Sequence, residues 1–331
     1  MKDVILLADP KTSAWDFAKS IQDYLFKTKE SKLQIYSLEM NVFRDKEIMP
    51  YVSENMRKKN VYLIQSSNKN PNDWLAELIL IKDLCLNASV NSLSFVLPNM
   101  RYSRQDRKHM SRVPISTRAI ANSISPGLRR IITMDLHSPQ IQNAYPANVP
   151  LDNLYSFPEV VKHLRKNHLE DLENLVIVSP DMGGADRANS FLKRLVRTED
   201  PGSKKNNFSF AIMNKIRDKP GSIEKMLLIG DVKDKNALIV DDIYDSCGTG
   251  IKAGEILREN GAKKILSYAT HGLFTEGTKL ILKNFDVVMT SNTHYIPKEN
   301  DGNIEIIDMA PLFAEAIYRA QKGLSVSELF E

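Results

Sequence analysis

The chain has 331 residues, 42% of them hydrophobic and 26% charged, with a formal net charge of +4. That length and apolar content supply the core of one large or two ordinary domains, and the mixed, weakly basic charge gives no ground for a nucleic-acid partner. Two distant cysteines, Cys85 and Cys247, exclude a disulfide framework and fit a reducing cytoplasm, and no apolar run reaches membrane-spanning length.

The first apolar run soon meets Asp9 and Pro10, so it reads as a strand rather than a signal peptide. Strands are predicted at 3–8, 33–38, 61–66, 93–98, 130–135, 175–179, 208–213, 237–241, 264–270, 286–290 and 304–307. Helices are predicted at 12–28, 72–88, 116–124, 156–166, 184–197, 249–260, 275–283 and 311–321. The alternation implies an α/β fold of mostly parallel sheets flanked by helices. Both halves contain a strand, a polar loop and a helix, as at 62–67 and 176–181. Two related domains are therefore expected, 1–153 and 154–331, with the break in Asn148-Val-Pro-Leu-Asp-Asn153. Ligands in such folds bind at the carboxyl ends of strands. Residues 198–207 read as a polar surface loop. Residues 214–226 are basic and aperiodic, with Pro220-Gly221 as a hinge, and are predicted to form a lid; a solvated hairpin is the plainer reading.

The most informative stretch is Leu238-Ile-Val-Asp-Asp-Ile-Tyr-Asp-Ser-Cys-Gly-Thr-Gly250. An apolar strand ends in acids, a small-residue turn follows, and Ala253, Ile256 and Leu257 then mark one helix face. Unpaired amides at a helix start bind phosphate. Asp241 and Asp242 beside such a site suit the hydroxyls of a sugar, so a sugar phosphate is the inferred ligand. A capping acid in an ordinary turn is the competing reading. Gly248, Gly250 and Gly254 do not fit the dinucleotide spacing.

Arg101, Arg104, Arg107 and Lys108 follow a strand and suit a polyphosphate, and Arg104 suits stacking on a base. A solvated basic face competes with that reading. His137 stands just past a strand end, where a lone histidine is more often structural but beside acids can be a metal ligand, and Asp181, at another strand end before Gly183-Gly184, suits Mg²⁺. No G-x-x-x-x-G-K-[ST] or C-x-x-C occurs. His163 and His168 are wrongly spaced for one helix face, so no zinc site is expected.

Taken in chain order, these motifs resemble those of the ribose-phosphate diphosphokinases, or phosphoribosyl pyrophosphate (PRPP) synthetases. F-x-D-x-E appears as Phe43-Arg-Asp-Lys-Glu47, ARQD as Ser103-Arg-Gln-Asp106, and DLHxxQIQ as Asp135-Leu-His-Ser-Pro-Gln-Ile-Gln142. VSPDxGG appears as Val178 to Gly184, K-x-R as Lys215-Ile-Arg217, and VDDxxDTxGT as Val240 to Thr249. The resemblance runs from about residue 40 to the C-terminus.

It implies two phosphoribosyltransferase-like domains in a homo-oligomer, a dimer or a hexamer, with an ATP site shared between subunits. Phe43, Asp45, Glu47, Arg104, Gln105 and Asp106 are then expected to hold ATP. His137 and Asp181 are expected to hold Mg²⁺. Asp241, Asp242, Asp245, Ser246, Cys247, Gly248 and Thr249 are expected to hold ribose 5-phosphate, with Lys215 and Arg217 catalytic. The implied reaction transfers the β,γ-diphosphoryl group of ATP to the C1 hydroxyl of ribose 5-phosphate, giving PRPP and AMP for nucleotide biosynthesis.

Ser246 replaces the usual Thr, and the 198–207 loop is longer than the family connection. Ala310-Pro311 stands where regulated members have Ser-Gly, and Asn55 where they have Ser, although Arg57 is kept. Control by phosphate and ADP is therefore not implied. A non-catalytic associated subunit is one alternative, opposed by the retained Lys215, Arg217, His137 and Asp181. A PRPP-consuming phosphoribosyltransferase is another, opposed by the two-domain length and the motifs at 43–47 and 103–106.

Overall fold

The computed structural model describes residues 1, 3–198, 207–216, 225–296 and 303–330, with the backbone alone at 215, 216 and 225. These residues form two compact units, 1–155 with 293–295 and 309–331, and 156–292 with 296–308.

The first unit begins with β1 (Val4–Ala8), α1 (Ser13–Lys29) and β2 (Gln34–Ser37), then a small antiparallel hairpin, β3 (Glu39–Val42) and β4 (Ile48–Tyr51). It continues through β5 (Asn60–Ile64), α2 (Pro71–Asn87), β6 (Ser92–Leu97), α3 (Ser116–Ile124), β7 (Arg130–Met134) and β8 (Leu151–Leu154). Six strands form one parallel sheet in the order β2-β1-β5-β6-β7-β8. Every residue of β1 is buried, the pattern of a strand covered on both faces. Leu7, Leu63, Trp74, Phe95 and Ile131 belong to the core of this unit. The Asn70 side chain accepts the Asn72 N–H and Pro71 opens α2, so both a cap and a preset φ start that helix.

The second unit runs α4 (Phe157–Asn167), β9 (Leu175–Ser179), α5 (Ala185–Arg197), β10 (Ser209–Ile216), β11 (Lys225–Ile229), β12 (Asn236–Tyr244) and α6 (Gly248–Glu259). It ends with β13 (Lys264–Gly272), α7 (Lys279–Asn284), β14 (Val287–Ser291) and β15 (Ile304–Ile307). The sheet order is β11-β10-β9-β12-β13-β14-β15, parallel except at the β10–β11 pair. Val178, Ile239, Ala253, Leu257 and Phe285 belong to its core.

The last helix, α8 (Ala310–Lys322), corrects the expected division at 153/154, because it belongs to the first unit. Phe313 meets Phe17 of α1 edge to face at 5.4 Å, and Glu315 takes Lys29 at 2.8 Å. Pro311 opens this helix and Gly323 closes it at φ 69°. At the edges of the expected lid at 214–226, 214–216 and 225–226 are antiparallel strand residues of β10 and β11. Residues 217–224 and 199–206 lie outside the described residues.

Candidate active site

A parallel sheet opens a crevice where the strand order reverses, because successive connections leave to opposite sides. In the second unit that point lies between β9, whose chain proceeds to β10 on one side, and β12, whose chain proceeds to β13 on the other. The turn after β9 carries Asp181, and the turn after β12 is Asp245-Ser246-Cys247. In the first unit the reversal lies between β1 and β5. There the chain's own polar groups interlock. Lys69 reaches Glu77 at 2.7 Å and Asp9 at 3.5 Å, Gln65 donates to Glu77, and Ser67 meets His294 at 2.8 Å.

The strand β12 does not stop before the acids. Its pairing with β13 continues through Asp241, opposite Ala269, to Tyr244, opposite Gly272. Asp241 is thus a paired strand residue, Asp242 donates its N–H to Oδ1 of Asp241 at 2.8 Å, and the turn begins only at Asp245. Asp242 is 4% exposed. Its Oδ1 accepts Nη1 of Arg187 at 2.9 Å, and the same nitrogen lies 3.9 Å from Oδ1 of Asp241. Arg187, in the first turn of α5, therefore ties the β9 side of the crevice to the β12 side. Sequence reasoning missed it because its partner is 55 positions away. A cation just inside the helix after an acid-bearing turn was the available signal.

Burial first, and the adjoining Asp242 carboxylate second, hold Asp241 well above the usual carboxylate range. A carboxyl raised in the folded state favours folding below its unfolded value, and that contribution is lost as pH rises through the raised value. Asp241→Asn is therefore expected to raise the ligand-free Tm at neutral pH, by roughly 2–4 °C per kcal/mol relieved. The gain should shrink as pH falls toward about 4, where the unfolded carboxyl also protonates. Melting curves across a pH series check this, and a gain that does not vary with pH would contradict it.

Cys247 turns the chain into α6 at φ 65°, in the left-handed region that non-glycine residues rarely occupy. Its thiol is buried, points at the Asp245 carbonyl at 3.8 Å and is pushed up to about 12 by that burial. Cys247 thus offers the site a backbone bend, not a nucleophile. No side chain at this cap position covers the first amides of α6. A Cβ on Gly248 would meet nothing nearer than the Ser246 hydroxyl at 3.8 Å, whereas one on Gly250 would press on the Tyr244 ring at 3.4 Å. The first glycine leaves room above the helix start and the second seats the helix on β12. Asp245 is fixed by Thr275, whose hydroxyl donates to its Oδ1 at 2.6 Å. Ser246 is exposed and Thr249 half-buried beside this opening.

Oδ1 of Asp181 accepts the Gly184 N–H at 3.0 Å, so one of its oxygens organises the turn into α5. Lys215 lies on β10, its backbone opposite Met226, with its side chain outside the described atoms. Arg217 lies outside the described residues.

In the first unit, Phe43, Asp45 and Glu47 occupy the tip between β3 and β4. Phe43 N–H donates to the Glu47 carbonyl at 2.8 Å and Glu47 N–H to Oδ1 of Asp45 at 3.1 Å, which closes the loop. Val42, Phe43, Met49 and Tyr51 are between 46% and 61% exposed on this hairpin. Arg104 is exposed on the loop after β6. Gln105 is partly committed to structure, accepting from Ser116 at 2.8 Å and donating to the Pro114 carbonyl at 3.1 Å. Asp106 accepts from Ser138, the neighbour of exposed His137, so the loops after β6 and β7 are joined here.

Fold and site together define an α/β protein with a helix start lacking a side-chain cap beside paired acids at a sheet switch point. Residues 10–126 match the N-terminal domain of ribose phosphate pyrophosphokinase, and residues 198–331 match the phosphoribosyl synthetase-associated domain. The chain is 38% identical to ribose-phosphate pyrophosphokinase 4 of Saccharomyces cerevisiae over 91% of its length and 87% of that relative. It is also 38% identical to the ribose-phosphate pyrophosphokinase of Cereibacter sphaeroides, over 95% of its length and 91% of that relative. The crystal structure of phosphoribosylpyrophosphate synthetase from Mycobacterium smegmatis superimposes with a TM-score of 0.83 at 26% identity, covering 97% of this chain and 99% of that one. The chain belongs to the ribose-phosphate pyrophosphokinase family.

Proposed function

We infer that the protein makes PRPP from ATP and ribose 5-phosphate. The observation that carries the reading is the turn from β12 into α6, with Asp241 and Asp242 at its entrance, in a chain that belongs to this family. The amides at the start of α6 receive the 5-phosphate. Asp241, the less buried of the two acids, accepts sugar hydroxyls, and Asp242 with Arg187 keeps it in place. The C1 oxygen then forms a bond to the β-phosphorus of ATP. The bond from that phosphorus to the oxygen bridging the α-phosphate breaks, AMP leaves and the C1 hydroxyl loses its proton. Negative charge spreads over the oxygens of the transferred group, where Lys215 and Arg217 stabilise it.

His137 and Asp181 are the proposed Mg²⁺ ligands. An imidazole nitrogen and a carboxylate oxygen fit a cation that completes its shell with water and substrate phosphates, and Mg²⁺ would neutralise phosphate charge there. Arg104, Gln105 and Asp106 are proposed to hold ATP together with the 43–47 hairpin tip of a second subunit. The exposed apolar side chains of that hairpin support its burial in a homo-oligomer, either a dimer or a hexamer. Among the described residues no helix is long and apolar enough to cross a membrane.

The test is to mix the protein with Mg-ATP and ribose 5-phosphate. AMP and PRPP should appear in equal amounts, and ATP consumption without PRPP would defeat the reading. Supplying a base and PRPP instead should give no nucleotide, which separates synthesis from consumption. The opening above Gly248 supplies a local test. Gly248→Val is expected to raise the KM for ribose 5-phosphate about tenfold or more, a loss of roughly 1.4 kcal/mol in binding, while leaving Tm nearly unchanged. An unaltered KM would place the phosphate elsewhere.

A further inference from the structure

Sequence spacing gives no zinc site at His163 and His168, because the two do not share a helix face. The structure removes that restriction. α4 ends at Asn167, so His168 is its cap residue, at φ −134°, and is free of helical periodicity. Its Nε2 lies 2.8 Å from Oε2 of Glu305, on β15. Nε2 of His163 lies 2.6 Å from the same oxygen. The two rings are 5.9 Å apart between centroids. One atom from each of the three residues falls within 4.8 Å of the others.

The second nitrogen of each ring is engaged. Nδ1 of His168 faces Oδ2 of Asp171 at 3.2 Å, and Asp171 is held by Lys264 at 2.7 Å. His168 thus faces a carboxylate with each nitrogen, Asp171 with Nδ1 and Glu305 with Nε2, and a cation on Nε2 would take the place of a proton there. The Asn167 amide nitrogen lies 3.1 Å from Nδ1 of His163 and 3.4 Å from its Nε2, and Nε2 is the nitrogen that also faces Glu305. Two imidazole nitrogens and a carboxylate oxygen converge, and a carboxylate stands behind one ring, as it does behind histidines that bind zinc.

We propose that His163, His168 and Glu305 form a site for a zinc-type divalent cation that ties the end of α4 to the edge strand β15. Metal–ligand bonds of about 2.1 Å fit atoms this close after a small separation of the donors, and two histidines with one carboxylate are a zinc ligand set that keeps a fourth position for water. The site lies wholly within the second unit and is independent of the sugar-phosphate cradle.

The test uses the full chain, stripped of metal with a chelator and titrated with Zn²⁺. The first equivalent should bind tightly, and X-ray absorption at the zinc edge should show two imidazole nitrogens on it. His168→Gln and Glu305→Gln, made separately, should each lose that equivalent with unchanged circular dichroism. Asp171→Asn should weaken it by roughly 10–100-fold through loss of the group that orients His168. Fewer than two imidazoles on the first equivalent, or wild-type stoichiometry in the folded variants, would overturn the proposal. The absorption measurement is made on the unaltered protein, so it decides the matter even where a variant does not fold.

Discussion

Lys215→Ala is expected to lower kcat for PRPP formation by roughly 10²–10³, the usual loss when one donor to a charged transition state is removed. The lysine is a main-chain-paired residue of β10, directly opposite Met226 of β11. Its backbone therefore belongs to a paired strand. An interaction made chiefly in the transition state lowers kcat and kcat/KM together and leaves ground-state binding almost intact. The KM for ATP should accordingly change little, and Lys215→Arg should retain more activity than the alanine variant because it keeps the charge. Steady-state kinetics on both substrates make the measurement. Unchanged turnover in Lys215→Ala would remove the hairpin from the chemistry.

The second large effect falls on stability. Arg187→Met should destabilise the protein by about 3–5 kcal/mol, because it breaks a buried ion pair by removing one partner. The side chains of Arg187 and Asp242 are only 14% and 5% exposed, so solvent screens their interaction weakly. Asp242→Asn should also destabilise the protein, and the double variant should cost less than the two single losses added together. Denaturant melts of the four proteins give this coupling. Additive losses would mean that the contact between α5 and β12 contributes no energy of its own.

Much of the architecture was legible because a strand covered on both faces has to be an uninterrupted apolar run. Residues 175–179 coincide with β9 for that reason, all five being buried; 304–307 coincide with β15 although this edge strand carries Glu305 and an exposed Ile306. What escaped the reading was set by partners rather than by local composition. β12 continues beneath Asp241 and Asp242 because β13 supplies its hydrogen bonds, although charged residues ordinarily mark a strand's end. β3 and β4 are short and half-exposed, β8 is an edge strand of four residues, and β11 begins at the end of a stretch read as a lid. The acids and small residues of the cradle were evident as a motif. The Arg187 clamp and the meeting of His163 and His168 with Glu305 were not, since each depends on elements far apart in the chain.

The packing of α8 on α1 also sets an order of assembly. Domains generally fold as units while the chain emerges from the ribosome, the N-terminal one first. Here the first unit cannot obey that order, because the side of α1 bearing Phe17 waits for Phe313. The second unit, almost entirely contiguous from 156 to 308, has nearly all its residues available earlier. Removing the chain from Ala310 onward would therefore leave the Phe17 side of α1 uncovered.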